Sequence, residues 1–151
     1  MSNLQSGSPA PAFSVQDQAG KTRTLSEFVG QYLLLYFYPK DETPGCTAEA
    51  CSFRDYFEEL KKHLVVLGVS TDSVESHRLF AAHHRLPFLL LSDPEKNMIR
   101  TYGVNGILGT KRFSFLIDPD GIIAKVYDRV NPTTHPQEVL TDLLNLQKAS
   151  V

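Results

Sequence analysis

Residues 36–55 read YFYPKDETPGCTAEACSFRD, and the fold turns on how this stretch divides. An apolar run from Tyr32 to Tyr38 breaks at Pro39. A short polar loop then leads to Pro44-Gly45-Cys46. Thr47 to His63 reads as a helix, with Phe53, Phe57 and Leu60 at i, i+4 and i+7 forming its apolar stripe. A continuous apolar run like Tyr32–Tyr38 fits a central strand covered on both faces. Strand, loop and helix in that order set Cys46 at a helix start.

Downstream the same alternation repeats. Leu64–Ser70 (LVVLGVS) is a second buried strand. Ser73 to Arg85 is a helix with a serine cap and Glu75 in its first turn. Phe88 to Leu91 is a third strand. Asp93-Pro94 opens another helix with proline in the first turn, ending near Tyr102-Gly103. Residues 103–110 hold three glycines and read as a loop. Phe113–Ile117 and Ile122–Tyr127 form a hairpin about the turn Asp118-Pro119-Asp120-Gly121. Pro136–Leu146 is a final amphipathic helix.

Upstream, residues 2–12 are rich in Ser, Pro, Gly and Ala and read as an extended lead-in. Phe13–Gln16 and Thr22–Thr24 flank a turn at residues 18–21. Ser26 caps a short helix that stops at Gly30. With no repeat and no linker, residues 1–151 read as a single α/β domain with a mixed central sheet flanked by helices.

The chain has 151 residues, a 42% apolar composition and a net charge of −2, with a pI near 6.2. That is enough chain for one buried core. There is no basic stripe for nucleic acid and no apolar run near the roughly 20 residues of a membrane helix. The start, MSNLQSGSPAPAF, lacks the basic and apolar regions of a secretory signal, so a reducing, cytoplasmic setting is expected. Two cysteines do not make a disulfide framework there.

Cys46 draws on its position. The unsatisfied N–H groups and partial positive charge of a helix start stabilise a thiolate, the reactive form of cysteine. A buried structural cysteine is the alternative that position alone leaves open. Cys46 and Cys51 are five residues apart. In an intact helix their Cα atoms would stand about 8.7 Å apart, from roughly 1.5 Å rise and 2.3 Å radius. A disulfide wants roughly 4.4–6.8 Å. The pair is therefore either unrelated or part of a helix-to-coil switch. The spacing is neither CxxC nor a zinc pattern. Thr43 offers a hydroxyl to a bound oxygen or to the thiolate, and Pro39 and Pro44 restrict the loop and shield the sulfur.

This run closely resembles the active-site segment of the peroxiredoxins, within them the bacterioferritin comigratory protein or PrxQ subfamily. The likeness extends over nearly the whole chain: GSPAPAF, LGVSTDS, LLSDPE, YGV and RFSFLIDPDG. It implies a thioredoxin-like fold and a thiol peroxidase acting on hydrogen peroxide and organic hydroperoxides. By the resemblance, Cys46 attacks the peroxide and becomes a sulfenic acid. Thr43 hydrogen-bonds the peroxide, Pro39 shields the thiolate and Arg112 stabilises the thiolate and transition state. Cys51 resolves the sulfenic acid as an intramolecular disulfide, which thioredoxin or a similar dithiol protein reduces. Glu49 matches the pattern without a chemical step. The resemblance implies no metal, haem or flavin, and a monomer. The segment VNGILGTK is shorter than in many members, which bears on the pocket rim and the surface that meets a reductant.

A thiol redox sensor and a thiol-disulfide reductase are the other functions weighed. The set Pro39, Thr43, Cys46 and Arg112 exceeds what a sensor needs, and a reductase would carry CxxC. His77 and His84 are seven apart on one helical face while His83 points elsewhere. No carboxylate or cysteine cluster completes a ligand set for them, so they read as solvated or partly packed. Gly103, Gly106 and Gly109 match no phosphate loop. Tyr32, Tyr36, Phe37 and Tyr38 read as core, with Phe37 or Tyr38 lining the pocket. Asp17, Asp118 and Asp120 read as turn residues.

Overall fold

Chain reversal comes first in the computed structural model, which describes residues 3–149; the outermost residues of the expected lead-in and domain, 1, 2, 150 and 151, lie outside them. β1 (Ser14–Asp17) pairs antiparallel with β2 (Thr22–Thr24). Asp17 closes their turn: its Oδ1 accepts from the amides of Ala19 and Lys21, and its Oδ2 from Arg23 Nε at 2.9 Å. It is thus a turn residue, and also a buried ion-pair partner. The short helix that follows is a 3-10 turn, Leu25–Phe28, whose N-cap is Thr24 and not the expected Ser26. Glu27 reaches back to the Thr24 amide at 2.8 Å, so the cap falls two residues earlier.

β3 (Tyr32–Phe37) is the central strand. α1 (Pro44–Asp55) begins at proline, three residues before the expected Thr47, because Pro44 carries the helical φ and its missing N–H costs nothing at the first position. The single expected helix to His63 is broken at Tyr56, whose φ and ψ of −100° and 6° leave the helical region, and resumes as α2 (Phe57–Leu60). β4 (Leu64–Ser70), α3 (Val74–His84) and β5 (Leu89–Ser92) follow.

Asp93-Pro94 does not open a helix. Its place is taken by a turn through Lys96, at φ 62°, and α4 is only Asn97–Thr101, with Asp93 Oδ2 accepting from the Ile99 amide at 2.8 Å. The expected loop at 103–110 contains a small hairpin, β6 (Asn105–Gly106) and β7 (Gly109–Thr110), with Ile107 and Leu108 fully exposed at its tip. β8 (Phe113–Ile117), β9 (Ile123–Tyr127) and α5 (His135–Ala149) complete the chain.

The main sheet is ordered β2-β1-β5-β4-β3-β8-β9, with β3, β4 and β5 parallel and the other pairs antiparallel. Its two faces carry separate cores. Leu34 and Tyr36 of β3 join Phe53, Phe80, Val139 and Leu143 beneath α1, α3 and α5. Leu33, Leu35 and Phe37 join Phe13, Val69, Tyr102 and Phe115 on the other face. Two covered faces explain the unbroken apolar run: with a side-chain period of two, both sets must be apolar. Gly68 of β4 makes room for one of them, since a Cβ there would sit 2.8 Å from Tyr36 Cζ. The lead-in lies along the outer edge of β9. Gly7 N donates to Ile123 O and Ile123 N to Ser8 O, both at 2.8 Å, and Ala10 N donates to Gly121 O at 2.9 Å.

Candidate active site

β3 delivers the chain to the site, and Asp41 pins the loop that follows. Its Oδ1 accepts from Tyr38 OH at 2.6 Å, its Oδ2 accepts from Ser76 Oγ at 2.9 Å and meets His77 Nδ1 at 2.7 Å. Its own amide donates to Asp72 Oδ2 at 2.8 Å. Tyr38 is therefore a buried anchor of the loop, and Phe37 belongs to the core. With the loop held, Glu42 adopts φ 62° and Thr43 becomes the N-cap of α1.

Cys46 sits in the first turn of α1 and is buried. Arg112, between β7 and β8, reaches it from the neighbouring strand: Nη2 donates to Cys46 Sγ at 3.5 Å while Nη1 donates to Glu49 Oε1 at 2.6 Å. Glu49 is wholly buried, and its Oε2 has no hydrogen-bond partner among the described residues. Burial pushes its carboxyl up to about 7, although the charge and hydrogen bond of Arg112 pull the other way. Burial works against the Arg112 charge, but the Glu49 carboxylate and the Cys46 sulfur outweigh it and hold the guanidinium above its ordinary value. Gly45 permits this approach, because a Cβ there would stand 3.0 Å from Arg112 Nη2.

Of the five residues predicted for the site, the structure brings Cys46 and Arg112 into contact. Thr43 is half-buried beside them and its hydroxyl donates to Lys40 O at 2.8 Å. Pro39 is exposed and lines a cleft of about 680 Å³ with residues 105–111, the β6–β7 hairpin and the residue after it. Cys51 is half-buried and lies on the same unbroken helix as Cys46, and both are free thiols. Sequence reasoning missed the work of Gly45 and Glu49. The second was within reach: Cys46 and Glu49 are three apart on one helix, so a single cation can meet both.

The histidines differ from expectation. His77 is fully buried, with Nε2 on Leu91 O at 2.9 Å. The carbonyl only accepts, so Nε2 is the donor of that bond. His83 and His84 are not without a carboxylate: both meet Glu42, from 41 and 42 residues away in sequence. Chain separation, not chemistry, hid that partner.

Likeness to known proteins bears on this arrangement. Residues 6–126 match the AhpC/TSA family. Peroxiredoxin Bcp of Escherichia coli K12 is 45% identical over 149 residues, which cover 93% of this chain and 96% of that one. A mutant of PrxQ from Xylella fastidiosa superposes with a TM-score of 0.91 at 31% identity, over 97% of this chain and 99% of that one. The bacterioferritin comigratory protein of Xanthomonas campestris, solved in trapped intermediate and ligand complexes that bear on its alkyl peroxide reduction activity, gives 0.87 at 33% identity, over 96% and 98%.

Proposed function

The chain belongs to the AhpC/TSA family, as a peroxiredoxin of the Bcp/PrxQ type with a thioredoxin-like fold, and from this we propose that Cys46 is its peroxidatic nucleophile and Cys51 its resolving thiol. Its activity is that of a thiol peroxidase. The contact that carries the assignment is Arg112, whose two arms hold Cys46 Sγ and Glu49 at once. Peroxide cleavage needs a thiolate, donors that polarise the O–O bond, and positive charge near the developing oxyanion.

The Cys46 thiolate attacks the terminal oxygen of R–O–O–H. The O–O bond breaks, sulfur is oxidised to a sulfenic acid, and the alkoxide leaves and takes a proton from water. Arg112 and the amides of the first turn of α1 stabilise the charge that moves from sulfur to the leaving oxygen. Thr43 turns its hydroxyl from Lys40 O to the bound peroxide, and Pro39 keeps water from the sulfur. The Cys51 thiol then attacks the sulfenic sulfur, an S–S bond forms and water leaves. A dithiol reductant of thioredoxin type is oxidised as it restores both thiols. The reading includes a monomer working in the cytoplasm; none of the described helices is long and apolar enough to cross a membrane.

Hydrogen peroxide turnover with thioredoxin, thioredoxin reductase and NADPH tests the assignment. The intact chain turns over. Cys46→Ser consumes no peroxide, and Cys51→Ser consumes one equivalent and then stops with thioredoxin. Turnover by Cys46→Ser would remove that residue from the mechanism.

A further inference from the structure

Two groups of side chains outside the peroxide chemistry bring histidine and carboxylate together: Asp41, Asp72 and His77, and Glu42, His83 and His84. In the first, every contact is already spoken for. Asp72 Oδ2 accepts from Ser70 Oγ and the Asp41 amide, Asp41 accepts from Tyr38 and Ser76, and both nitrogens of His77 are engaged. An ion there would displace buried hydrogen bonds. The second group is different: His83 and Glu42 are open to solvent, and among the described residues the atoms a metal would take bond only within the group.

We propose that Glu42, His83 and His84 form a binding site for a divalent cation of the zinc type, which ties the loop before Thr43 to the end of α3. Two imidazoles and one carboxylate are the donors that zinc and its first-row neighbours accept, whereas calcium and magnesium require oxygen ligands. Glu42 Oε2 lies 2.9 Å from His83 Nδ1 and Oε1 lies 2.8 Å from His84 Nε2. The ligand atoms all lie within 4.8 Å of one another. Bonds of roughly 2.0–2.1 Å to a tetrahedral ion need ligand atoms about 3.4 Å apart, so small side-chain shifts suffice.

The ligands are held from behind. Asp41, fixed in its buried network, leaves Glu42 in a left-handed backbone conformation that sends its carboxylate over α3. The rings of Phe80 and His84 pack T-shaped with centroids 5.1 Å apart, and Arg54 Nη1 donates to the His84 carbonyl at 2.9 Å. The side chains of His83 and Glu42 are 67% and 46% exposed, which admits the ion and leaves room for water to complete its shell.

Zinc titration of the Cys46→Ser/Cys51→Ser double variant tests the site, since no thiolate then competes. Calorimetry is expected to find one ion per chain, and adding His83→Ala and His84→Ala is expected to weaken binding at least about tenfold. Glu42→Gln weakens it as well. Zinc is also expected to slow amide exchange at residues 41–46 in the double variant and not in the histidine variants. No binding, or binding that survives loss of both imidazoles, overturns the site. Binding with unchanged exchange at 41–46 overturns the tie. Neither readout depends on peroxidase turnover, so the functional assignment stands or falls separately.

Discussion

Arg112 serves two anions at once, and its forked guanidinium is what allows this. Lysine would keep the charge but offer a single point donor. Arg112→Lys is therefore expected to slow oxidation of Cys46 by peroxide on the order of a hundredfold, followed as loss of free thiol after quenching. An unchanged rate would separate the guanidinium from the chemistry. Glu49 makes a second prediction. Its carboxyl titrates near the ordinary 4.5 when unfolded and at about 7 when folded, chiefly through burial. Between those values the folded state holds more protons. The contribution to stability is thus full below about pH 4.5 and is lost as pH rises through about 7. Glu49→Gln is expected to flatten the fall of Tm across that window, and a variant with the parent's slope would refute the assignment. The place of Cys46 at a helix start was legible in the sequence. Arg112 was legible only through family resemblance, because 66 residues separate it from the sulfur it touches.

α1 carries both thiols, and at this scale the helix itself opposes the disulfide. Cys46 and Cys51 lie on one unbroken helix, about 8.7 Å apart between Cα atoms from its rise and radius. Joining them must unwind the first turns. Amides at residues 46–51 are expected to exchange faster in the disulfide form than in the dithiol form; equal protection would show that the helix survives oxidation. Gly45 offers a contrasting test. Alanine there improves helix propensity, by less than about 1 kcal/mol, yet its Cβ meets the Arg112 guanidinium at 3.0 Å. Gly45→Ala is expected to keep or raise Tm while slowing Cys46 oxidation on the order of tenfold. Loss of both together would mean a folding defect instead. Apolar spacing found every major helix and, except for α3 with its caps at Ser73 and Arg85, missed their ends. The break at Tyr56 and the false start at Asp93-Pro94 depend on capping contacts with residues that periodicity does not weigh, such as the Asp93 bond to Ile99.

Across the whole molecule, the unbroken apolar run of β3 was enough to foresee a sheet buried on both faces, since Leu33, Leu35 and Phe37 point to one core and Leu34 and Tyr36 to the other. The order of the strands was not readable. It depends on long-range pairing, such as β1 beside β5, which no local pattern encodes. The lead-in was legible as extended chain but not as a partner of β9. That pairing has a consequence for how the protein behaves in a crowded solution. Gly7 and Ser8 occupy the carbonyl and amide of Ile123 at the start of β9, which would otherwise template another molecule's strand, and Pro9 and Pro11 offer no N–H for a further chain to join. A chain cut to begin at Pro11 should keep most of its core yet become sticky. Light scattering is expected to rise with its concentration well before that of the full chain. Matching curves would mean that the seal on this edge lies elsewhere. Residues 7–10 thus guard the fold against its own copies.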